Sequence, residues 1–131
     1  MDNTLWINLP VKDLQAAQAF YEQAGFLMAK ADSSNAHQAA FYVERQQLYV
    51  MLFPQESFKA FTQQDIADTS IGSEVLFTLS AKTREEVDNF MFRIEQAGGT
   101  VYAPPGERNG MYGAGFSDVD GHRWNFLVMD V

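Results

Sequence analysis

This sequence contains no cysteine and only 2 histidines. The absence of cysteine excludes disulfide bonds, thiolate metal sites and a cysteine nucleophile. Positive charge is also scarce, since 9 Lys and Arg residues stand against 17 Asp and Glu residues and the net charge is −8 at pH 7. A protein this acidic lacks the positive surface of nucleic-acid-binding proteins and is repelled by anionic membranes. We therefore expect neither a nucleic acid nor a membrane as a partner, and the charge weakly favours a cationic partner.

Long hydrophobic runs are missing as well. The longest purely apolar run, Leu48–Phe53, is far shorter than the ~20 residues that a spanning helix needs. The first residues, 1–4, have neither a basic segment nor a long apolar segment of the kind that begins a signal peptide, so we expect a cytoplasmic protein. With 131 residues, of which 47% are hydrophobic, the chain can bury a core and is predicted to form one domain over residues 1–131.

The chain reads as two copies of one unit. The tetrapeptide Glu-Gln-Ala-Gly ends at Gly25 and again at Gly98, and each copy closes a helical pattern that follows a strand with period two. Three shorter strand candidates follow each helix: residues 26–31, 39–44 and 48–53 in the first half, and 100–103, 112–117 and 122–129 in the second. We therefore predict module one at about 4–54, a connection at 55–73 and module two at about 74–131.

The ends of these elements carry capping and turn residues. Asp13 stands where the first helix needs an N-cap, and Thr83–Glu86 has the pattern of a capping box for the second. Asp120–Gly121 is typical of a hairpin turn between the last two strands. Phe58, Phe61 and Ile66 indicate that the connection packs against the protein. The Gly- and Pro-rich segment 104–110 is predicted to be a loop, in which Arg108 is either solvated or meets an anionic substrate group.

Three stretches together resemble the vicinal oxygen chelate superfamily, which includes glyoxalase I, bleomycin resistance proteins and extradiol dioxygenases. The stretches are Ile7–Leu14, Gly110–Gly113 leading to Phe116–His122, and Trp124–Leu127. Within this superfamily the chain resembles the glyoxalase-like branch of predicted lactoylglutathione lyases. The resemblance implies an α+β fold of two paired β-α-β-β-β modules that form a curved mixed sheet with a cleft. It also implies a homodimer.

The same resemblance identifies four positions that can hold a divalent metal, usually through histidine and glutamate. They fall on Trp6, Met51, Leu76 and Asn125. An indole, a thioether, an aliphatic chain and one amide are poor ligands for such ions, and Glu74 is the only carboxylate nearby. His37 and His122 lie in loop or turn segments, where exposure is more usual than a ligand role. We therefore expect no cofactor, while a metal bound through displaced ligands stays open as an alternative.

Strand parity predicts which side chains line the cleft. These ligand-binding candidates are Trp6, Asn8, Tyr49, Met51, Leu76, Thr78, Asn125 and Leu127, with Tyr112 added from the segment that follows the loop. Such a lining suits a flat or apolar small molecule, or else the rings fill a core of their own. Glu74 is the candidate catalytic base, with the alternative that it lies solvated at the end of a strand.

Three functions follow from these residues. The favoured one is a glyoxalase/bleomycin-resistance-like protein that binds a small organic molecule in an aromatic cleft without the usual metal. The alternative is an enzyme, either a metal-dependent glyoxalase-like lyase or a dioxygenase with displaced ligands. A third is a structural or regulatory module that takes no small ligand. The sequence leaves open whether any reaction is catalysed.

Overall fold

The computed structural model describes residues 1–29, 37–43 and 48–129. Within it the chain separates into two compact units, Met1–Ala67 and Asp68–Val131, with the boundary inside the predicted connection. Each unit contains one four-stranded mixed sheet, and the strands with their first helix follow the order β-α-β-β-β, which confirms the α+β fold. No helix in the described part of the chain is both long and apolar enough to cross a membrane.

Unit one contains four strands and two helices. They are β1 (Trp6–Val11), α1 (Leu14–Ala24), β2 (Leu27–Met28), β3 (Ala39–Val43), β4 (Leu48–Pro54) and α2 (Gln55–Thr62). The strand order is β1-β4-β3-β2, with β1 parallel to β4 and the other pairs antiparallel. Helix α1 covers one face, where the ring of Tyr21 stacks on that of Phe41 with centroids 4.4 Å apart. Residues 30–31 and 44 of the predicted strands lie outside the described residues.

The predicted ends of α1 are confirmed. The Asp13 carboxylate accepts a hydrogen bond of 3.1 Å from the backbone N–H of Ala16, so it satisfies one donor of the first turn. Gly25 follows the last helical residue with φ of 102°, a left-handed conformation in which glycine avoids the steric cost of a Cβ. These two residues fix where the helix starts and stops.

Helix α2 was not predicted, although its packing was. It follows β4 directly, and the ring of Phe61 contacts Phe53 edge-on, with centroids 5.1 Å apart. It ends at Gln63, whose φ of 60° is left-handed. The segment has no side-chain N-cap, which removes the usual sequence signal for a helix start.

Unit two repeats the arrangement. Its elements are β5 (Leu76–Ala81), α3 (Arg84–Gln96), β6 (Thr100–Arg108), β7 (Met111–Ser117) and β8 (Arg123–Val128). The strand order is β5-β8-β7-β6, with β5 parallel to β8. Helix α3 covers one face, where Phe90 contacts Phe116 and Phe126 with centroids 5.6 and 4.7 Å apart. Trp124 lies in the same core with only 2% of its surface exposed.

The predicted capping box of α3 is present in a modified form. The Thr83 hydroxyl accepts a hydrogen bond from the Glu86 backbone N–H at 3.1 Å, as expected. The Glu86 carboxylate accepts from the backbone N–H of Lys82 at 2.8 Å, one residue before the N-cap. The two side chains still satisfy two backbone donors at the start of the helix.

The prediction of a loop over 104–110 is wrong. Strand β6 continues to Arg108, and the turn consists of Asn109 and Gly110, with φ of 54° and 77°. Prolines are tolerated here because β6 is the edge strand of its sheet, where an N–H can be lost without breaking a ladder between two strands. Arg108 donates to the carbonyl of Pro104 at 2.7 Å and to that of Gly113 at 3.3 Å, so its guanidinium braces the hairpin.

The turn between β7 and β8 is held by a buried carboxylate. Asp118 accepts hydrogen bonds of 2.9 Å from the backbone N–H groups of Asp120 and His122. Gly121 completes the turn with φ of 86°. The Thr69 hydroxyl donates to the Asp120 carbonyl at 2.5 Å, which ties the start of unit two to this turn.

Candidate functional site

Each sheet has one face covered by α1 or α3, and we call the opposite face its open face. In unit one, α2 lies against the Phe53 end of the open face through Phe61. On the open face of unit one, four side chains stand in register across the four strands. They are Trp6, Tyr49, Tyr42 and Leu27. Trp6 is 55% exposed and Tyr49 41% exposed, and the rings of Tyr42 and Tyr49 lie 4.7 Å apart. We call the three aromatic members of this set the aromatic row.

The next register row adds polar and flexible groups. Asn8 of β1 pairs with Met51 of β4, and Met51 pairs with Ala40 of β3. Asn8 is exposed and Met51 is half-buried, so an amide and a thioether lie one pleat away from the rings. This surface can stack on a flat molecule and offers hydrogen bonds from one amide.

The open face of unit two is more polar. Thr78 of β5 pairs with Asn125 of β8, and Asn125 pairs with Gly115 of β7. Arg123 and Leu127 stand two residues to either side of Asn125, so all three share one face of β8. Thr78 and Arg123 are exposed, while Asn125 and Leu127 are half-buried.

Tyr102 of β6 crosses this open face and was missed by the sequence reasoning. Its hydroxyl donates toward the Trp124 carbonyl at 3.2 Å and the Asn125 Oδ1 at 3.4 Å. The Arg123 guanidinium lies over the ring, 4.2 Å from its centroid. A Cβ at Gly115 would stand 2.6 Å from the Tyr102 Cζ, so the glycine makes room for the ring to lie on the sheet. A glycine inside a strand is the signal that could have found this close approach.

The surroundings of Tyr102 shift the pKa of its hydroxyl. Burial raises the pKa of the Tyr102 hydroxyl above its usual 10.0, and the positive charge of Arg123 lowers it in part. The neutral hydroxyl acts as a donor in its hydrogen bonds to Trp124 and Asn125. Tyr102, Arg123 and Asn125 form a connected group, which we call the Tyr102 cluster.

The structure brings eight of the predicted ligand-binding residues onto the open faces. Trp6, Asn8, Tyr49 and Met51 share that of unit one, and Leu76, Thr78, Asn125 and Leu127 share that of unit two. Tyr112 lies on the helix-covered side instead, because its hydroxyl donates to Asp88 of α3 at 2.5 Å. That hydrogen bond raises the pKa of the Tyr112 hydroxyl above 10.0. Glu74 is exposed and lies before the start of β5. The alternation of side chains along that strand therefore does not place its carboxylate on the open face.

The four positions that the family resemblance assigns to a metal carry an unsuitable donor set. The indole of Trp6 only donates, the thioether of Met51 is soft, and Leu76 has no donor atom. The amide oxygen of Asn125 is already approached by the Tyr102 hydroxyl. Among the residues that the structure describes, no three His, Asp or Glu side chains lie together as a metal site would require. These residues do not fit a divalent ion of the kind bound by histidine and glutamate.

Comparison with known proteins gives a family match and several structural neighbours. The family model of the Glyoxalase/Bleomycin resistance protein/Dioxygenase superfamily matches residues 4–126. The hypothetical protein SA1046 from S. aureus is 33% identical, with a TM-score of 0.89 over 98% of this chain and 95% of that one. A search of curated proteins finds no match.

Two further solved structures share the fold at lower identity. A glyoxalase-related enzyme from Fulvimarina pelagi is 18% identical, with a TM-score of 0.84 over 98% of this chain and 89% of that one. The fosfomycin resistance protein FosX from Listeria monocytogenes is 20% identical, with a TM-score of 0.72 over 100% of this chain and 96% of that one. At these identities the likeness concerns the fold alone.

Proposed function

Because the chain belongs to the Glyoxalase/Bleomycin resistance protein/Dioxygenase superfamily, we propose that it binds a flat, apolar or cationic organic molecule on the aromatic row, without a bound metal. Members of this superfamily bind small molecules, as the names of the bleomycin and fosfomycin resistance proteins indicate. The observation that carries the proposal is the exposure of neighbouring rings on one open face, led by Trp6 at 55% and Tyr49 at 41%.

Charge and chemistry support the same ligand class. The net charge of −8 draws cations toward the protein, and an electron-rich ring face binds a cation directly. Exposed aromatic side chains lose water favourably when a flat molecule covers them. Asn8 can orient a polar substituent of that molecule.

The intrinsic fluorescence of the protein allows a sharp test. Of its 2 tryptophans, Trp6 is 55% exposed and Trp124 is 2% exposed, so acrylamide quenching reports mainly on Trp6. A panel of flat neutral and cationic compounds is screened by the rise in melting temperature, and each hit is then tested for protection of Trp6. Trp6→Leu is expected to weaken binding about tenfold or more, as loss of a central aromatic contact does.

Phe92→Ala is the matched control, because it removes a ring that is 68% exposed on α3. It is expected to leave the affinity unchanged. The proposal is wrong if no compound in the panel raises the melting temperature, or if Trp6→Leu and Phe92→Ala weaken binding equally.

The absence of a required metal has its own test. Metal analysis of the purified protein is expected to find substoichiometric divalent metal, with no nickel- or zinc-dependent turnover of a hemithioacetal. One equivalent of metal per chain together with such turnover would support the alternative, a metal-dependent lyase or dioxygenase with displaced ligands.

We also propose a cytoplasmic homodimer, the assembly that the family resemblance implies. Size-exclusion chromatography with light scattering is expected to give twice the chain mass of 14.8 kDa. A mass equal to that of one chain at all concentrations contradicts the dimer and leaves the ligand proposal untouched.

A further inference from the structure

The open face of unit two carries a cation, Arg123, that forms no ion pair with the residues that the structure describes. The ion pairs of the described residues join Lys59 with Asp65 and Arg84 with Glu107, and neither involves Arg123. The Arg123 guanidinium instead lies flat over the Tyr102 ring, 4.2 Å from the centroid. Stacking fixes the plane of the guanidinium while its N–H edges stay available.

Two neutral donors stand beside it on the same face. Asn125 follows Arg123 by two residues, and Thr78 pairs with Asn125 across β5 and β8. In the described chain, the side-chain hydrogen bond of Asn125 is the one that its Oδ1 accepts from Tyr102, which leaves its NH2 group for another acceptor. The Thr78 hydroxyl is exposed and has no side-chain partner among the described residues.

We propose that this face binds the oxyanion group of a small organic molecule, a carboxylate, phosphate or phosphonate. Arg123 supplies the charge, and Asn125 and Thr78 supply neutral hydrogen bonds. A planar guanidinium can donate two parallel N–H bonds to such a group, and charge-assisted bonds of this kind are the strong ones. Leu76, which pairs with Arg123 in register and is 52% exposed, offers contact to an apolar part of the same molecule.

The negative net charge of the protein opposes the binding of anions in general. With a net charge of −8, the overall field repels anions, so an anion bound at this face is held by local contacts. Tyr102 acts here as a positioning residue, because it holds the guanidinium by its ring and the amide by its hydroxyl. The inference goes beyond the proposed function, because it rests on the other open face and makes no use of the aromatic row.

The experiment is an NMR titration of the full chain at constant ionic strength with inorganic phosphate, methylphosphonate and acetate. The signals read are the side-chain NH2 of Asn125 and the Nε–H of Arg123. Both are expected to shift in a saturable manner. Tighter binding of phosphate and methylphosphonate would indicate that the natural ligand carries a doubly charged group. Tighter binding of acetate would indicate that it carries a carboxylate. The absence of saturable shifts with all three probes overturns the proposal.

Variants distinguish binding by specific contacts with Arg123 from attraction to positive charge in general. Arg123→Gln is expected to weaken binding about tenfold, the effect of losing one charge-assisted pair. Lys82→Gln, an exposed residue after β5, removes the same charge and is expected to change affinity less than twofold. Tyr102→Phe keeps the stack, so it is expected to retain most affinity, and Tyr102→Ala is expected to lose it.

Equal weakening by Arg123→Gln and Lys82→Gln overturns the proposal, and the dispersion of each variant's spectrum confirms that it is folded. The readouts at Asn125 and at Trp6 are independent. Saturable shifts at Asn125 without any protection of Trp6 would therefore reject the proposed function alone, and the reverse result would reject this inference alone.

Discussion

Replacing Gly115 by alanine adds a methyl group where the Tyr102 ring already lies. The new Cβ would stand 2.6 Å from Tyr102 Cζ and 2.7 Å from its Cε1 and Oη, whereas carbon atoms in contact are normally ~3.5–4.0 Å apart. The ring must therefore leave the sheet. It would lose its hydroxyl hydrogen bonds, about 1 kcal/mol, and its stack with Arg123, about 0.5–1 kcal/mol. Alanine stabilises a strand by about 0.5–1 kcal/mol relative to glycine, because it has less backbone freedom in the unfolded chain. The net loss in the free energy of unfolding is therefore about 1 kcal/mol.

The assay is urea unfolding of a double-mutant cycle. Gly115→Ala alone is expected to lower the free energy of unfolding by about 1 kcal/mol. In a Tyr102→Ala background the obstructing ring is absent, so the same substitution should be neutral or stabilising by about 0.5 kcal/mol. An equal destabilisation in both backgrounds would refute the reasoning, since it would place the obstruction somewhere other than Tyr102.

Three further predictions concern the caps and the tyrosine. Asp13→Ala should cost about 1 kcal/mol of unfolding free energy by losing the N-cap bond, with the exposed Asp2→Ala as an unaffected control. Gly25→Ala should cost about 1–2 kcal/mol because φ is 102°, and an unchanged denaturation midpoint would contradict that. Tyr102 should ionise above pH 10.0 in tyrosinate absorbance, and higher still in Arg123→Gln. Because the folded pKa is raised, its contribution to stability is complete below about pH 10 and is lost as the pH rises through the folded value.

Much of the fold could be predicted because its signals are local. The period-two strands, the N-cap Asp13 and the left-handed Gly25 depend on neighbouring residues only. Segment 104–108 could not be assigned, because prolines favour a loop unless the strand lies at an edge, and edge position is a property of the whole sheet. Helix α2 escaped prediction for lack of a capping side chain.

Only those residues of the candidate site that follow from the alternation of side chains along a strand could be predicted. Parity assigned Trp6 and Asn125 to the open faces, because alternation is fixed by the backbone. It could not reveal Tyr102, whose strand has register shifts between Val101 and Ala103, so its contacts depend on a bulge. Tyr112 was predicted to bind the ligand because it follows the supposed loop in sequence. Its hydroxyl instead donates to Asp88 of α3, the helix that covers the opposite face of the sheet.

The two prolines of β6 have a consequence for how the protein behaves at high concentration. An edge strand presents unpaired N–H and C=O groups that a second chain can extend into a continuous sheet. Pro104 and Pro105 remove donors from the middle of this edge, and the register shifts around them bend the strand. Strand addition at β6 is thereby disfavoured, and we expect Pro104 and Pro105 to lower the tendency of the protein to aggregate. Replacing them by valine would leave the hairpin a better template for fibril growth.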